Sequence, residues 1–466
     1  MKISINYFYC AFTVSILLSS CATIKPIEPA TEVTQPGPAK QDASIIDIPI
    51  QVELKPYFKQ ADAAVPNRFT GKEDHCEGIS YSYVFERNPI EFSGKSNNLQ
   101  FEIDGKYALK INYCPSCTSV FDDKGTCVIP RLYASCGVGE PMRKISISYN
   151  STFELLPNYQ LKSVTKLKEV KPLSKCEVSV FKYDATEDLI KEVKKALKDI
   201  AGDIDEKVSE TQIKKEIDKA WKTLSKPMKI DKYGYLYIQP DKISVSNFQL
   251  NGSILNFNIA MEAYPKVELT KNKTEPKALP NISNYLKKDG FNIQLDLIGN
   301  YDSLSRLLTS ELKGKVIDIK KNKIIIDSAK IFGAANQKLS FAISFSGKRK
   351  GILYLVGTPT FDNQKQEISF PDLTFDLETR NALLKSGKWL FNDKITQAIR
   401  GFATYNLKAI LDESTLKLEK ELNRKIEEKT AIEGKMSKLS VEAIYPMNNA
   451  LLIRTNLSGN IKLIVN

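Results

Sequence analysis

Six cysteines in one half of the chain, Cys76, Cys114, Cys117, Cys127, Cys136 and Cys176, are the residues whose type and spacing most directly imply chemistry. In an exported protein an even count of thiols reads first as disulfides, with the pairing left open by sequence. Cys114, Cys117, Cys127 and Cys136 are alternatively a set of four thiolates for zinc, although their spacing is not that of a zinc ribbon. Cys114-Pro115-Ser116-Cys117 also has the spacing of a thiol-oxidoreductase motif, without the surrounding βαβ pattern that such an enzyme needs. His75 is the single histidine, which removes the commonest general base from nearly every other place. No Gly-x-Ser-x-Gly elbow, phosphate loop or His-Glu-x-x-His motif occurs. Gly137-Val138-Gly139 is only a turn signal, and Asp122-Asp123 is an ordinary surface pair. These residues argue against an enzyme and call for no cofactor.

Cys21 carries a different chemistry. Lys2, the apolar stretch from Tyr7 to Leu18, and the small residues Ser19-Ser20 describe a secretory signal. The apolar stretch is too short to span a bilayer, where about 20 residues are needed. A cysteine directly after the small residues resembles the lipobox of bacterial lipoproteins. The resemblance implies removal of residues 1–20 and acylation of Cys21 as the new N-terminus. Ala22, where an aspartate would signal inner-membrane retention, then implies the outer membrane, on its periplasmic side. Residues 21–44 contain Pro26, Pro29, Pro36 and Pro38 and no hydrophobic period, the composition of a flexible tether.

The elements that must position any site fall in the remainder. With 466 residues, 42% hydrophobic and 26% charged, the chain has globular composition and length for more than one domain. A formal net charge of +12 points to anionic partners. The lysines interleave with acids, as in Lys191-Glu192 and Lys194-Lys195 before Asp199, which is the pattern of a solvated helix face. Nucleic acid is disfavoured outside the cytoplasm.

Ile50-Gln51-Val52-Glu53-Leu54 matches Ile293-Gln294-Leu295-Asp296-Leu297, and each runs into a short helix candidate, Lys55 to Ala64 and Tyr301 to Leu312. Lys242-Ile243-Ser244-Val245 matches Lys438-Leu439-Ser440-Val441, each leading to a hairpin turn, with Asn251-Gly252 and Asn448-Asn449 at the turns. Between these markers, alternation predicts long strands that place Leu99, Phe101, Ile103, Tyr107, Leu109, Ile111 and Tyr113 on one face. The same alternation unites Ile145, Ile147, Tyr149, Phe153 and Leu155, and in the second half Leu339, Phe341, Ile343 and Phe345. A first long helix is predicted from a capping box at Asp184 and Glu187 through Leu189, Val193, Leu197 and Ile200, with a stutter, to Trp221 and Leu224. A second runs from Ile395 through Ile399 and Phe402 to Leu418, Leu422 and Ile426. The reading is a duplicated α+β unit, residues 45–290 with a cysteine-rich insertion and residues 291–466. In each, a long twisted antiparallel sheet wraps a long helix, and the two together make an elongated body.

Gly351-Ile352-Leu353-Tyr354-Leu355-Val356-Gly357-Thr358-Pro359-Thr360-Phe361-Asp362, with Asp372-Leu373-Thr374-Phe375-Asp376-Leu377, resembles the bacterial lipoprotein domain-of-unknown-function family 4403. So do Ser135-Cys136-Gly137 with Glu140-Pro141, Asn88-Pro89-Ile90, and Tyr301-Asp302 with Leu304. The family brings no chemistry to carry over. Its helix-in-sheet pattern is similar to the tubular lipid-binding proteins of the bactericidal permeability-increasing type, which implies lipid held between sheet and helix. On that resemblance Phe257, Ile259, Met261, Phe341, Ile343, Phe345, Trp221, Trp389 and Ile399 are groove candidates, although each equally suits a dry core. The function expected is a noncatalytic carrier of a lipid or other amphipathic ligand, anchored to the outer membrane. A module organising envelope proteins is the alternative, and an envelope enzyme the third.

Overall fold

A computed structural model of the chain describes residues 23–29, 38–118, 126–178, 183–230, 234–319, 322–386 and 393–465. Residues 1–20, Cys21 and Trp389 lie outside the described residues. The strands are β1 (Ser44–Glu53), β2 (Arg68–Glu73), β3 (Gly78–Arg87), β4 (Glu91–Ser96), β5 (Asn98–Cys114), β6 (Leu132–Cys136), β7 (Arg143–Leu155), β8 (Leu161–Pro172), β9 (Met228–Ile230), β10 (Gly234–Tyr237), β11 (Pro240–Val245), β12 (Gln249–Gly252) and β13 (Ile254–Ala263). They continue with β14 (Lys266–Glu268), β15 (Phe291–Asn300), β16 (Val316–Ile319), β17 (Asn322–Ala334), β18 (Lys338–Gly347), β19 (Gly351–Gly357), β20 (Thr360–Asp362), β21 (Glu367–Ser369), β22 (Thr374–Phe375), β23 (Tyr405–Asn406), β24 (Arg424–Glu427), β25 (Thr430–Pro446) and β26 (Ala450–Val465). The helices are α1 (Lys55–Ala64), α2 (Thr186–Ser209), α3 (Ile213–Leu224), α4 (Tyr301–Leu312), α5 (Leu377–Ser386), α6 (Asp393–Ala403) and α7 (Lys408–Glu421). The fold is mixed α+β. The chain divides into two compact units, neither continuous in sequence: a larger one of 41–296, 411–440 and 455–466, and a smaller one of 297–410 and 441–454 with the described part of 1–40.

In the larger unit β2, β3, β5, β7 and β8 pair antiparallel in that order. β4 and β6 pair with opposite ends of β5, and β4 passes the ladder through β12 and β13 to β1. Because successive strand residues point to opposite faces, Phe101, Tyr107, Leu109, Ile145, Ile147 and Tyr149 collect on one face, and α2 lies on it through Leu189, Ile190, Val193, Leu197, Ala201 and Ile204. Burying one such side chain is worth roughly 1.5–3 kcal/mol, against about 1 kcal/mol for a typical hydrogen bond, so the apolar stripe sets where the helix lies. Polar contacts then fix its register: Asp205 of α2 accepts from Ser163 Oγ at 2.6 Å, and Tyr149 donates to the Leu197 carbonyl at 3.2 Å.

In the smaller unit β16, β17, β18, β19 and β22 form one antiparallel sheet. Leu339, Phe341, Ile343 and Phe345 of β18 alternate inward, where Tyr301 and Leu312 of α4 and Ile399 of α6 meet them. Asn300 caps α4 by accepting from the Ser303 N–H at 2.8 Å.

Several expectations are corrected. The first long helix, predicted at roughly 40 residues by its 3.6-residue period, is broken: α2 ends at Ser209 and α3 starts at Ile213. Ser209 turns its hydroxyl onto the Glu206 carbonyl and Thr211 N–H bonds the Val208 carbonyl, so local side-chain and tight-turn bonds compete with the helix ladder. The second is interrupted by β23, where Leu407 N–H reaches the Gln366 carbonyl, and Ile426 lies in β24. The capping box does not form. Asp184 accepts from Thr186 N–H and hydroxyl, and the helix starts at Thr186. The strand-to-helix correspondence holds locally, β1 running into α1 and β15 into α4, but α2 has 24 residues where α4 and α6 have 12 and 11. These elements do not show a duplication of the whole unit. Ile24, within the stretch read as a tether, is instead buried in the core of the smaller unit, because a large aliphatic side chain there has a sheet edge to join.

Candidate functional site

The face of the larger unit's sheet that α2 covers runs on beyond the helix. Directly opposed residues of an antiparallel pair share a face, so register aligns Ile79 with Tyr113, Tyr81 with Ile111 and Tyr83 with Leu109. From β6, Leu132 stands opposite Tyr113 and Ala134 opposite Ile111. Leu109, beside the helix, is 6% exposed, while Ile79, Tyr81, Tyr83, Tyr113 and Leu132 are 59, 36, 39, 43 and 56% exposed. The apolar face of the core therefore emerges, uncovered, as a mainly aromatic floor. Gly71 in β2 suits this floor: a Cβ there would stand 2.3 Å from the Tyr83 ring, which lies across it. The Tyr81 phenol is raised above its ordinary pKa, first by its hydrogen bond to Glu73, then by burial, with Glu192 of α2 contributing.

The opposite edge of α2 is cationic. Lys191, Lys194, Lys195 and Lys198 recur at helical spacing and line a cleft of about 630 Å³ together with Val170 and Pro172 of β8, Thr186, Glu187 and Ile190. Four ammonium groups thus stand on the β8 side together with the single acid Glu187, while Glu192 faces Tyr81. All four lysines are exposed and Glu187 shares their stripe, as the solvated face of mixed charge expected for this stretch requires. A second cleft of about 640 Å³ includes Arg68, Lys72, Ser82, Lys110 and Met142.

From Tyr149 and Phe101 in the core beneath α2, a chain of rings runs through Phe92 to Phe58 of α1, with centroids 5.1, 6.1 and 4.6 Å apart. Arg87 is buried and holds the end of α1, donating to Asp62 Oδ1 at 2.6 Å and to the carbonyls of Asp62, Val65 and Pro66. The Ile90 N–H and then Arg87 keep the Asp62 carboxyl below its usual range, although burial opposes them.

Of the residues expected in a groove, Phe341, Ile343, Phe345 and Ile399 are packed in the core of the smaller unit. Trp221 joins Ile259 and Met261 around Tyr159 and Ile243, with its indole N–H on the Lys277 carbonyl at 3.1 Å. Phe257 meets Phe248 edge-on. None of these lines either cleft. The floor of Ile79, Tyr81, Tyr83 and Tyr113 was not foreseen. Its signal is present in Ile79-Ser80-Tyr81-Ser82-Tyr83, where alternate positions are aromatic rings with a polar tip that tolerates water.

The six thiols pair as Cys76–Cys117, Cys114–Cys127 and Cys136–Cys176. This leaves no free thiolates for zinc, and Cys114 and Cys117 bond elsewhere, not to each other. The first two bonds tie the loop after β5, and the third ties β6 to the entry of α2. His75 is exposed between β2 and β3, 2.9 Å from Glu73 Oε1. Among the described residues no group of three or more His, Cys, Asp or Glu is arranged to hold a metal.

Residues 42–465 match the family described as Domain of unknown function (DUF4403). Among solved structures, a lipopolysaccharide binding protein is 12% identical over 90% of this chain and 99% of its own, at a TM-score of 0.27. P47 of Clostridium botulinum E1 is 11% identical over 90 and 99%, at 0.21, and P47 from Clostridium botulinum A2 is 10% identical over 90 and 97%, at 0.23. Likenesses at such scores carry no argument about fold or ligand. No curated protein matches the chain.

Proposed function

Since the chain belongs to the DUF4403 family, whose description assigns no activity, we propose from its own geometry that it is a noncatalytic binder of an anionic amphipathic ligand, most simply a phospholipid. The observation that carries this reading is the uncovered floor of Ile79, Tyr81, Tyr83, Tyr113 and Leu132, continuous with the core beneath α2. An acyl chain laid on this floor buries apolar surface at about 25 cal/mol per Å². Lys191, Lys194, Lys195 and Lys198 on the far edge of the same helix attract a phosphate. The protein is exported, acylated on Cys21 and held at the outer membrane facing the periplasm, with residues 45–290 and 291–466 descending from one duplicated ancestor of the tubular lipid-binding kind.

Binding of an anionic fluorescent amphiphile such as anilinonaphthalene sulfonate, displaced by phosphatidylglycerol, tests this. Tyr81→Ser with Tyr113→Ser is expected to weaken binding at least tenfold with the fold intact, and unchanged binding contradicts the reading. A second reading, an interaction module, draws on Val128, Ile129, Leu132 and Tyr133, exposed apolar residues at the disulfide-tied loop and β6. It predicts a specific envelope protein on crosslinking through this loop and no bound lipid.

A further inference from the structure

Ile24 is 2% exposed, inside the core built by Phe341, Leu353 and Leu355. Its N–H donates to the Lys350 carbonyl at 3.1 Å, and its own carbonyl accepts from the Ile352 N–H at 3.0 Å, a parallel bridge onto Gly351. The approach needs glycine, because a Cβ on residue 351 would stand 2.4 Å from the Ile24 carbonyl oxygen. Gly351 ends the turn from Gly347 that joins β18 to β19, and that turn carries Lys348, Arg349 and Lys350. Lys25, Lys348 and Lys350 are exposed and Arg349 is half-exposed. Acids in this region include Glu28, whose charge reaches Tyr354, and Asp327, which accepts from Ser346 Oγ at 2.7 Å.

Cys21 precedes Ile24 by three residues, so at about 3.3–3.6 Å per residue the two Cα atoms are never more than roughly 10 Å apart. The anchor point is therefore within that reach of a buried, hydrogen-bonded residue of the smaller unit. We propose that the β18–β19 turn is the surface with which the smaller unit rests on the anionic phospholipid layer holding its anchor, the Ile24 strand fixing the turn against that layer. The inference rests on the acylation of Cys21 in the proposed function. The screening length at physiological salt is about 8 Å, comparable with the roughly 10 Å reach of the three residues that link Ile24 to the anchor, so cations held beside Ile24 feel the headgroup charge. Each Lys or Arg held at such a surface contributes roughly fivefold in partition, and a cluster supplies the second signal that complements acyl chains.

The test is the full-length chain, its N-terminal acylation read by mass spectrometry, reconstituted on vesicles of phosphatidylglycerol and phosphatidylcholine that contain a headgroup-spin-labelled lipid. A bimane label at Lys348→Cys is expected to be quenched strongly, with the quenching falling severalfold when phosphatidylglycerol is omitted or salt is raised. Gly351→Val, or Ile24→Asp as a second unseating variant, each checked for a native near-ultraviolet circular dichroism spectrum, is expected to reduce quenching severalfold while the protein still floats with the vesicles. Acylated, floating protein whose label is not quenched, or is quenched equally after unseating, overturns this inference alone. Unacylated protein that does not float overturns the anchor and this inference with it.

Discussion

Asp205 of α2 accepts two hydrogen bonds from Thr165 of β8, from the backbone N–H at 2.9 Å and from Oγ1 at 2.7 Å. With Ser163 it makes the polar pin that fixes the register of the helix on the sheet. Asp205→Ala leaves the Thr165 N–H without this acceptor, at a cost of about 1–3 kcal/mol. Urea unfolding should show a lower midpoint by that amount, with an unchanged slope. A midpoint equal to wild type would mean that the apolar stripe alone positions α2.

The same pin gives a pH dependence. Burial alone raises the Asp205 pKa, but the bonds from Ser163 and Thr165 outweigh it and hold the carboxyl below 3.8. A carboxyl depressed in the folded state gives stability that is complete above its unfolded pKa and is lost as pH falls through its folded value. Stability should therefore be level with respect to Asp205 above about pH 5 and decline below about pH 4. In Asp205→Asn that decline should be shallower. Equal acid limbs in the two proteins would contradict it.

Cys136–Cys176 closes a separation of 40 residues and Cys114–Cys127 one of 13. Loop-closure entropy makes the longer one worth about 1 kcal/mol more, within the roughly 2–5 kcal/mol that loss of a native disulfide costs. Paired Cys136→Ser and Cys176→Ser should lower the melting temperature more than Cys114→Ser with Cys127→Ser, as read by calorimetry under non-reducing conditions.

Replacing Lys191, Lys194, Lys195 and Lys198 together by Gln removes exposed cations worth about 0.5 kcal/mol each to an anion nearby. Affinity for phosphatidylglycerol should fall roughly tenfold or more and lose most of its salt dependence, while affinity for a neutral amphiphile and the melting temperature stay near wild type. Equal losses for both ligands would remove these lysines from the site.

Alternation made the strand faces legible: Leu339, Phe341, Ile343 and Phe345 share the inner face of β18, and α1 and α4 span the stretches their patterns indicate. The breaks at 210–212 and 404–407 were legible only as irregular spacing, a stutter between Val208 and Ile213 and a gap after Phe402; hydrogen bonds to Glu206, Val208 and Gln366 are what show that the helices stop there. Disulfide pairing was hidden for a similar reason, since it depends on which strands lie side by side. The site itself was missed. Tyr81 and Tyr113 carry the same pattern as Tyr107 and Tyr149, and what separates floor from core is the place where α2 ends its coverage. Only three-dimensional placement supplies that.

The most direct test of the central claim is native mass spectrometry with solvent extraction on residues 22–466 purified from a bacterial periplasm, beside the Tyr81→Asp and Tyr113→Asp variants. The account predicts a stoichiometric anionic amphiphile on the wild-type chain and its loss from both variants, each still folded. A wild-type chain that carries no such ligand, or variants that keep it in full, would contradict the account.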